Sequence, residues 1–203
     1  MSKSLIIMLH GVGSSGNDLV PLGQGWRPEL PDTAFAAPDA PFPFEHGAGY
    51  QWFSIAGVTE GNRPERVARA RAAFDAVLLR LMADHGLADR PQRVVLVGFS
   101  QGSIMALDAL ASGRWPVAGV VAFSGRLSSP LPLTPSPGVP VLLIHGEQDS
   151  VINPLETQRA AASLQKLGVA AQAVILPGLG HSVSKEGVAR AGDFIAQALA
   201  AAR

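Results

Sequence analysis

A short apolar run, Arg93-Val94-Val95-Leu96-Val97, leads straight into Gly98-Phe99-Ser100-Gln101-Gly102, and Ser103-Ile104-Met105-Ala106-Leu107-Asp108-Ala109-Leu110 follows. The run reads as a buried strand and the segment after it as a helix. Gly-x-Ser-x-Gly between a strand and a helix is the pattern of a nucleophile elbow. The spacing has a physical reason. The serine must occupy a tight, strained turn that lifts its hydroxyl above the sheet edge. Glycines on either side remove the Cβ atoms that would collide with neighbouring backbone. The N-terminal N–H groups of the helix then face any negative charge that develops there. The alternative is an ordinary strand-to-helix turn, so the rest of the chain must decide.

Strands and helices alternate along the chain. Strands are expected at 5–9, 33–36, 93–97, 117–123, 139–145 and 171–176. Most are continuous apolar runs, as parallel strands covered on both faces should be. The clearest helix is expected over 64–85, where Val67, Ala70, Phe74, Val77, Leu78, Leu81 and Met82 recur at helical spacing and Gly86 ends it. A second is expected over 154–166, with Asn153 as N-cap, Pro154 at the first helical position and Glu156 closing a capping box. A third should cover 186–201. Residues 38–61 and 124–138 read as loops, the latter a Ser/Pro-rich crossover at the sheet edge. This alternation predicts an α/β fold with a mostly parallel central sheet and helices on both faces. At 203 residues the chain is expected to form one domain.

Composition removes several classes of function. Sixteen basic residues balance sixteen acidic ones, with no basic stripe for nucleic acid or an anionic membrane. There is no cysteine, which excludes disulfides, thiolate ligands and a cysteine nucleophile. The apolar stretch Leu5-Ile6-Ile7-Met8-Leu9 is too short for a signal segment, and no run reaches membrane-spanning length. A cytoplasmic protein without stable membrane anchoring is expected, either a monomer or a homodimer.

Functional groups in such a sheet belong just beyond the carboxyl ends of strands. Asp149 stands in the turn His145-Gly146-Glu147-Gln148-Asp149 after one strand, and His181 in the glycine-bracketed loop Pro177-Gly178-Leu179-Gly180-His181 after another. Ser100, Asp149, His181 is the nucleophile–acid–histidine order of α/β-hydrolases. A serine hydroxyl attacks only when a base takes its proton. Histidine is suited to that because imidazole titrates near neutral pH. An aspartate would fix its tautomer and stabilise the imidazolium. Glu147 competes for the acid role but lies nearer the strand end. The loop Leu9-His10-Gly11-Val12-Gly13-Ser14-Ser15-Gly16 could offer backbone N–H groups to an oxyanion, with the Gln101 N–H as the second donor. It lacks the Gly-Lys-Ser/Thr ending and the Gly-x-Gly-x-x-Gly fingerprint of phosphate-binding loops. His10 and His145, each before a glycine at a strand end, read as structural hydrogen bonders rather than metal ligands.

Five blocks together, Leu9-His10-Gly11-Val12-Gly13, Gln51-Trp52-Phe53, Gly98-Phe99-Ser100-Gln101-Gly102, His145-Gly146-Glu147-Gln148-Asp149 and Gly180-His181, resemble the phospholipase/carboxylesterase family, to which acyl-protein thioesterases belong. The Ser-Gln pair of the elbow and the Trp-Phe pair are the more discriminating features. The resemblance implies a compact α/β-hydrolase without a large lid, acting on an ester or thioester with no cofactor or metal. It implies Val12 and Gln101 as backbone oxyanion donors and places Trp52 and Phe53 beside an acyl pocket; ordinary packing under a long loop is the alternative for those two aromatics. Two positions depart from the family pattern. Ser14 stands where an acidic residue is common, and Ser54 follows Trp-Phe where the family commonly has aspartate. The expected activity is that of a serine carboxylesterase. An acyl-protein thioesterase or lysophospholipase would use the same machinery. A non-catalytic ligand-binding protein on the same fold would usually have lost a member of the triad.

Overall fold

The computed structural model describes residues 3–202. In chain order the elements are β1 (Ser4–Leu9), α1 (Val20–Trp26), β2 (Thr33–Ala36), β3 (Phe42–Pro43), β4 (Tyr50–Gln51), α2 (Arg63–Asp84), β5 (Val94–Phe99), α3 (Gln101–Ala111), β6 (Gly119–Phe123), β7 (Val141–Gly146), α4 (Leu155–Gln165), β8 (Ala171–Leu176) and α5 (Lys185–Ala201). Six strands form one sheet in the order β2-β1-β5-β6-β7-β8, every pairing parallel. The chain therefore builds outward from β1 in one direction and from β5 in the other. The crevice of an open parallel sheet opens at such a reversal.

Strand residues alternate between two cores. Leu5, Ile7 and Leu9 face the core covered by α2, α3 and α4, with Phe74, Leu78, Leu110 and Leu164. Ile6 and Met8 face the other, with Trp26 from α1 and Ile195 and Leu199 from α5. Both faces are dry, which explains why the strands read as unbroken apolar runs. Each fully buried side chain of this size is worth about 1.5–3 kcal/mol. Helix α2 ends as its sequence requires. Gly86 takes φ 69°, its N–H bonds to Ala83 O, and the Leu87 N–H reaches back to Met82 O at 2.7 Å. That is a Schellman closure, with Leu87 buried behind it.

Some boundaries differ from the sequence expectation. β7 starts at Val141 rather than 139, because Pro140 has no N–H for the ladder. α3 starts at Gln101, directly after the elbow serine. In α4, Pro154 occupies the N-cap itself. Asn153 Oδ1 still accepts from the Leu155 N–H at 3.0 Å, but Glu156 pairs with Arg159 instead of closing a capping box. Two features go beyond the expected elements: α1, and the small β3–β4 hairpin inside the expected loop over 38–61.

A buried ion network ties α3 to α2. Asp108, fully buried, accepts from Arg71 Nε and Nη2 at 2.9 and 2.8 Å and from Arg114 Nη1 at 3.0 Å. Arg114 continues to Asp75, which also takes the Trp115 indole N–H. Burial works to raise the Asp108 carboxyl, but the hydrogen bonds and charge of Arg71, with Arg114, outweigh it and hold the group below the ordinary aspartate range. Its folded-state value thus lies below the unfolded one. The stability it contributes is complete above the ordinary aspartate range and is lost as pH falls through the depressed value. Asp108→Asn should cost about 3 kcal/mol at neutral pH by leaving the Arg71 guanidinium without its carboxylate, while Arg114 keeps Asp75. It should also flatten the acid side of the stability–pH curve. Urea melts of both proteins at pH 7 and at acid pH check this.

Candidate active site

Ser100 sits between β5 and α3 at φ 53°, ψ −115°, a left-handed conformation that costs a non-glycine residue about 1–3 kcal/mol. The turn is held by Ser100 N–H to Phe123 O at 2.9 Å and Ile104 N–H to Ser100 O at 3.2 Å. The flanking glycines are obligatory. A Cβ at Gly98 would lie 2.4 Å from Ser103 N, and one at Gly102 would lie 2.0 Å from Leu9 O. Since β1 cannot retreat, Gly102→Ala is expected to cost about 3 kcal/mol or more, read as a lowered melting midpoint. An unchanged midpoint would contradict this packing.

The three sequence-predicted polar residues meet here. His181 Nε2 lies 3.0 Å from Ser100 Oγ, and His181 Nδ1 lies 2.6 Å from Asp149 Oδ2. Asp149 Oδ1 accepts the Val151 and Ile152 N–H groups at 2.8 and 2.9 Å. His145 Nε2 stands 3.0 Å from Asp149 Oδ2. Burial works to raise the Asp149 carboxyl, but the hydrogen bonds from His181, Ile152 and Val151 overcome it and hold the group below the usual range. The histidine loop is pinned to the acid turn by Glu147 N–H to Leu176 O and Gln148 N–H to Leu179 O at 2.9 and 2.8 Å. Gly146 permits that approach, since a Cβ there would lie 2.2 Å from Leu179 O. Glu147, the rival acid, is exposed. The Asp149 N–H bond to Gly146 O turns the chain so that Asp149, not Glu147, reaches the histidine.

The loop after β1 lies against the serine, with the Gly11 Cβ position 3.3 Å from Ser100 Cβ. His10 is fully buried. Its Nε2 accepts the Ala40 N–H at 2.9 Å, so Nδ1 carries the proton and donates to Gly11 O at 2.7 Å. Burial, the largest influence, lowers its pKa and keeps it neutral. Because the peptide is planar and trans, holding Gly11 O on one side turns the Val12 N–H to the other. Gln101 is the first residue of α3, and its N–H has no intrahelical partner.

The two aromatics are placed by the elbow. Gln101 Oε1 accepts the Trp52 N–H at 2.7 Å, and Gln101 Nε2 donates to Phe53 O at 2.8 Å. Trp52 Nε1 donates to His10 O at 2.9 Å, and its ring meets Phe74 edge-on at 5.4 Å. Trp52 and Phe53 are buried, and with Phe42, Pro43, Asn62, Arg66 and Ala70 they line a cavity of about 700 Å³. Ser100 and His181 are not part of that lining. Both departures from the family pattern recruit a carboxylate from elsewhere. Ser14 Oγ donates to Asp18 at 2.6 Å, and Ser54 Oγ donates to Glu45 at 2.8 Å. Among the described residues, no group of three histidine, aspartate or glutamate side chains is arranged to hold a metal ion. Nor is any helix among them long and apolar enough to cross a membrane.

A parallel sheet with a strained serine at the β5–α3 junction defines an α/β-hydrolase. The family model described as Phospholipase/Carboxylesterase matches residues 1–199, and the chain belongs to that family. Esterase YpfH of Escherichia coli (strain K12) is 31% identical over 96% of this chain and 82% of its own length. Acyl-protein thioesterase 1 of Neurospora crassa is 28% identical over 96% of this chain and 86% of its own. Among solved structures, esterase PE8 superposes with a TM-score of 0.89 at 38% identity, covering 98% of this chain and 94% of that one. The protein is a serine hydrolase of ester substrates.

Proposed function

We propose that this single α/β-hydrolase domain is a carboxylesterase working through Ser100, His181 and Asp149 and an acyl-enzyme intermediate. The observation that carries the reading is the unbroken chain from Ser100 Oγ through the His181 ring to Asp149 Oδ2. His181 Nε2 takes the serine proton as Oγ attacks the acyl carbon. The Val12 and Gln101 N–H groups receive the developing oxyanion. Collapse expels the alcohol, which leaves with the proton from His181. Water then attacks the acyl-enzyme with His181 again as base, and Ser100 is released with the carboxylic acid. None of these steps requires a metal or cofactor. Trp52 and Phe53 form the wall against which the acyl group packs. A thioester substrate is the second reading, favoured by the name of the Neurospora relative. The same attack serves it, with a thiol as leaving group.

Initial rates on p-nitrophenyl esters from acetate to palmitate, with fluorophosphonate labelling of Ser100, test the proposal. A short-chain maximum with labelling supports a small-ester carboxylesterase. A long-chain maximum moves the reading to a thioesterase or lysophospholipase. Folded protein with neither turnover nor labelling would leave a ligand-binding protein on a hydrolase fold.

A further inference from the structure

His145, at the carboxyl end of β7, is 0% exposed and uses both ring nitrogens. Nε2 lies 2.9 Å from Ile152 O and 3.0 Å from Asp149 Oδ2, while Nδ1 lies 2.8 Å from Thr157 Oγ1 on α4. Both neighbours of Nε2 are acceptors, so Nε2 carries the hydrogen, and the threonine hydroxyl can donate to Nδ1. Burial, the largest influence, lowers the pKa of this ring. The charged or titratable groups that act on it are Asp149 and His181. A neutral imidazole in one tautomer, fixed from two sides, is a rigid directional donor.

We propose that His145 is a positioning residue for the reaction, acting on His181 through Asp149. The inference rests on the triad reading above. Asp149 Oδ1 is held by two backbone N–H groups, but Oδ2 faces the His181 ring it is meant to orient. Without His145, Oδ2 would be held only by that moving partner. The His145 Nε2–H, directed at the Ile152 carbonyl, lies 3.0 Å from Oδ2 and gives it a second, shared polar contact from a ring anchored to β7 and α4. The carboxylate then keeps its angle while His181 cycles between imidazole and imidazolium. This resembles the outer partners that orient metal-bound histidines, whose loss costs about 10–100-fold in activity.

The test compares His145→Phe, His145→Gln and Thr157→Val by turnover of a p-nitrophenyl ester and by the low-field proton resonance of His181 Nδ1–H. In His145→Phe, kcat should fall about tenfold or more with KM little changed, and the low-field resonance should shift or broaden. His145→Gln, whose amide can present an N–H at similar reach, should recover most of the rate. Thr157→Val should lower the melting midpoint yet keep kcat and the resonance, because the Nε2–H stays in place. If His145→Phe does not fold, His145→Asn replaces it with the same expectations, its amide being too short to reach Oδ2. Wild-type kcat and resonance in the ring-deleted variant would overturn the proposal. So would Thr157→Val reproducing the full loss, which would mark a purely structural role. Asp149→Asn in the same assay separates the two levels. Full activity there overturns the triad and this inference together. An inactive Asp149→Asn beside a wild-type-like His145→Phe overturns this inference alone.

Discussion

Ser100→Ala should lower turnover of a short p-nitrophenyl ester by roughly a millionfold, as removal of a triad nucleophile does elsewhere. The proposed His181 base and oxyanion donors survive the substitution, so a residual water-driven rate above background should remain. The fold should survive as well. The bonds that hold the elbow, Ser100 N–H to Phe123 O and Ile104 N–H to Ser100 O, are main-chain bonds that alanine keeps. Alanine also keeps the strain of φ 53°. Ser100→Gly removes that strain and should be about 1 kcal/mol more stable than Ser100→Ala while equally inactive. Rates and thermal melts of the pair therefore separate loss of chemistry from loss of structure. Wild-type turnover in Ser100→Ala would remove Ser100 from the mechanism.

Asp149→Asn should reduce turnover by about 10⁴-fold, and the geometry gives the reason. The carboxylate accepts three hydrogen bonds, two from backbone N–H groups on Oδ1 and one from His181 on Oδ2, with His145 Nε2 a further neighbour 3.0 Å from Oδ2. An amide has only one acceptor end. With its NH₂ toward the rings it opposes the His145 N–H and stabilises the His181 tautomer protonated at Nε2, which cannot accept the serine proton. With its NH₂ toward the backbone it meets the Val151 and Ile152 N–H groups. Neither orientation is satisfied, so the melting midpoint should fall along with the rate. Glu147→Gln is the control and should stay close to wild type, because Glu147 is exposed and lies outside the hydrogen-bonded chain. A crippled Glu147→Gln beside an active Asp149→Asn would reverse the assignment.

Much of this architecture is legible in the residues because it is locally encoded. Leu5 to Leu9 announces a strand buried on both faces, and the alternate residues do enter different cores. The Val67–Met82 stripe announces α2, and Gly86 its end. Helix α1 was hidden because Pro21, Gly23 and Gly25 are poor helix formers and only Gly23 and Trp26 are buried. Tertiary contact makes it a helix: Trp26 Nε1 bonds to Val188 O on α5, and Gly23 lets the backbone approach Met8 and Phe35. The β3–β4 hairpin contributes only two residues per strand, too few for a period to appear. In the site, strand ends and glycines point to Ser100, Asp149 and His181. The hold of Gln101 on residues 49 and 48 positions away has no local signature. The tie of His145 to Asp149 is close in sequence, yet it depends on the turn between them folding back.

The Gln101 amide has a consequence for how substrate is admitted. The two dipeptides that mark the family, Ser-Gln and Trp-Phe, are one mechanical unit. The main chain at 52–53 is bolted to the elbow by two hydrogen bonds, and the Trp52 indole is bolted to the loop after β1 by a third. A flap at that segment could swing only by breaking all three while exposing a buried tryptophan. If Trp52 and Phe53 form the acyl wall as proposed, that wall would not gate: selection among acyl groups there would rest on the shape of a rigid surface at the moment of docking, with no energy drawn from closure. Broadening acyl preference here would mean recutting side chains rather than loosening a hinge.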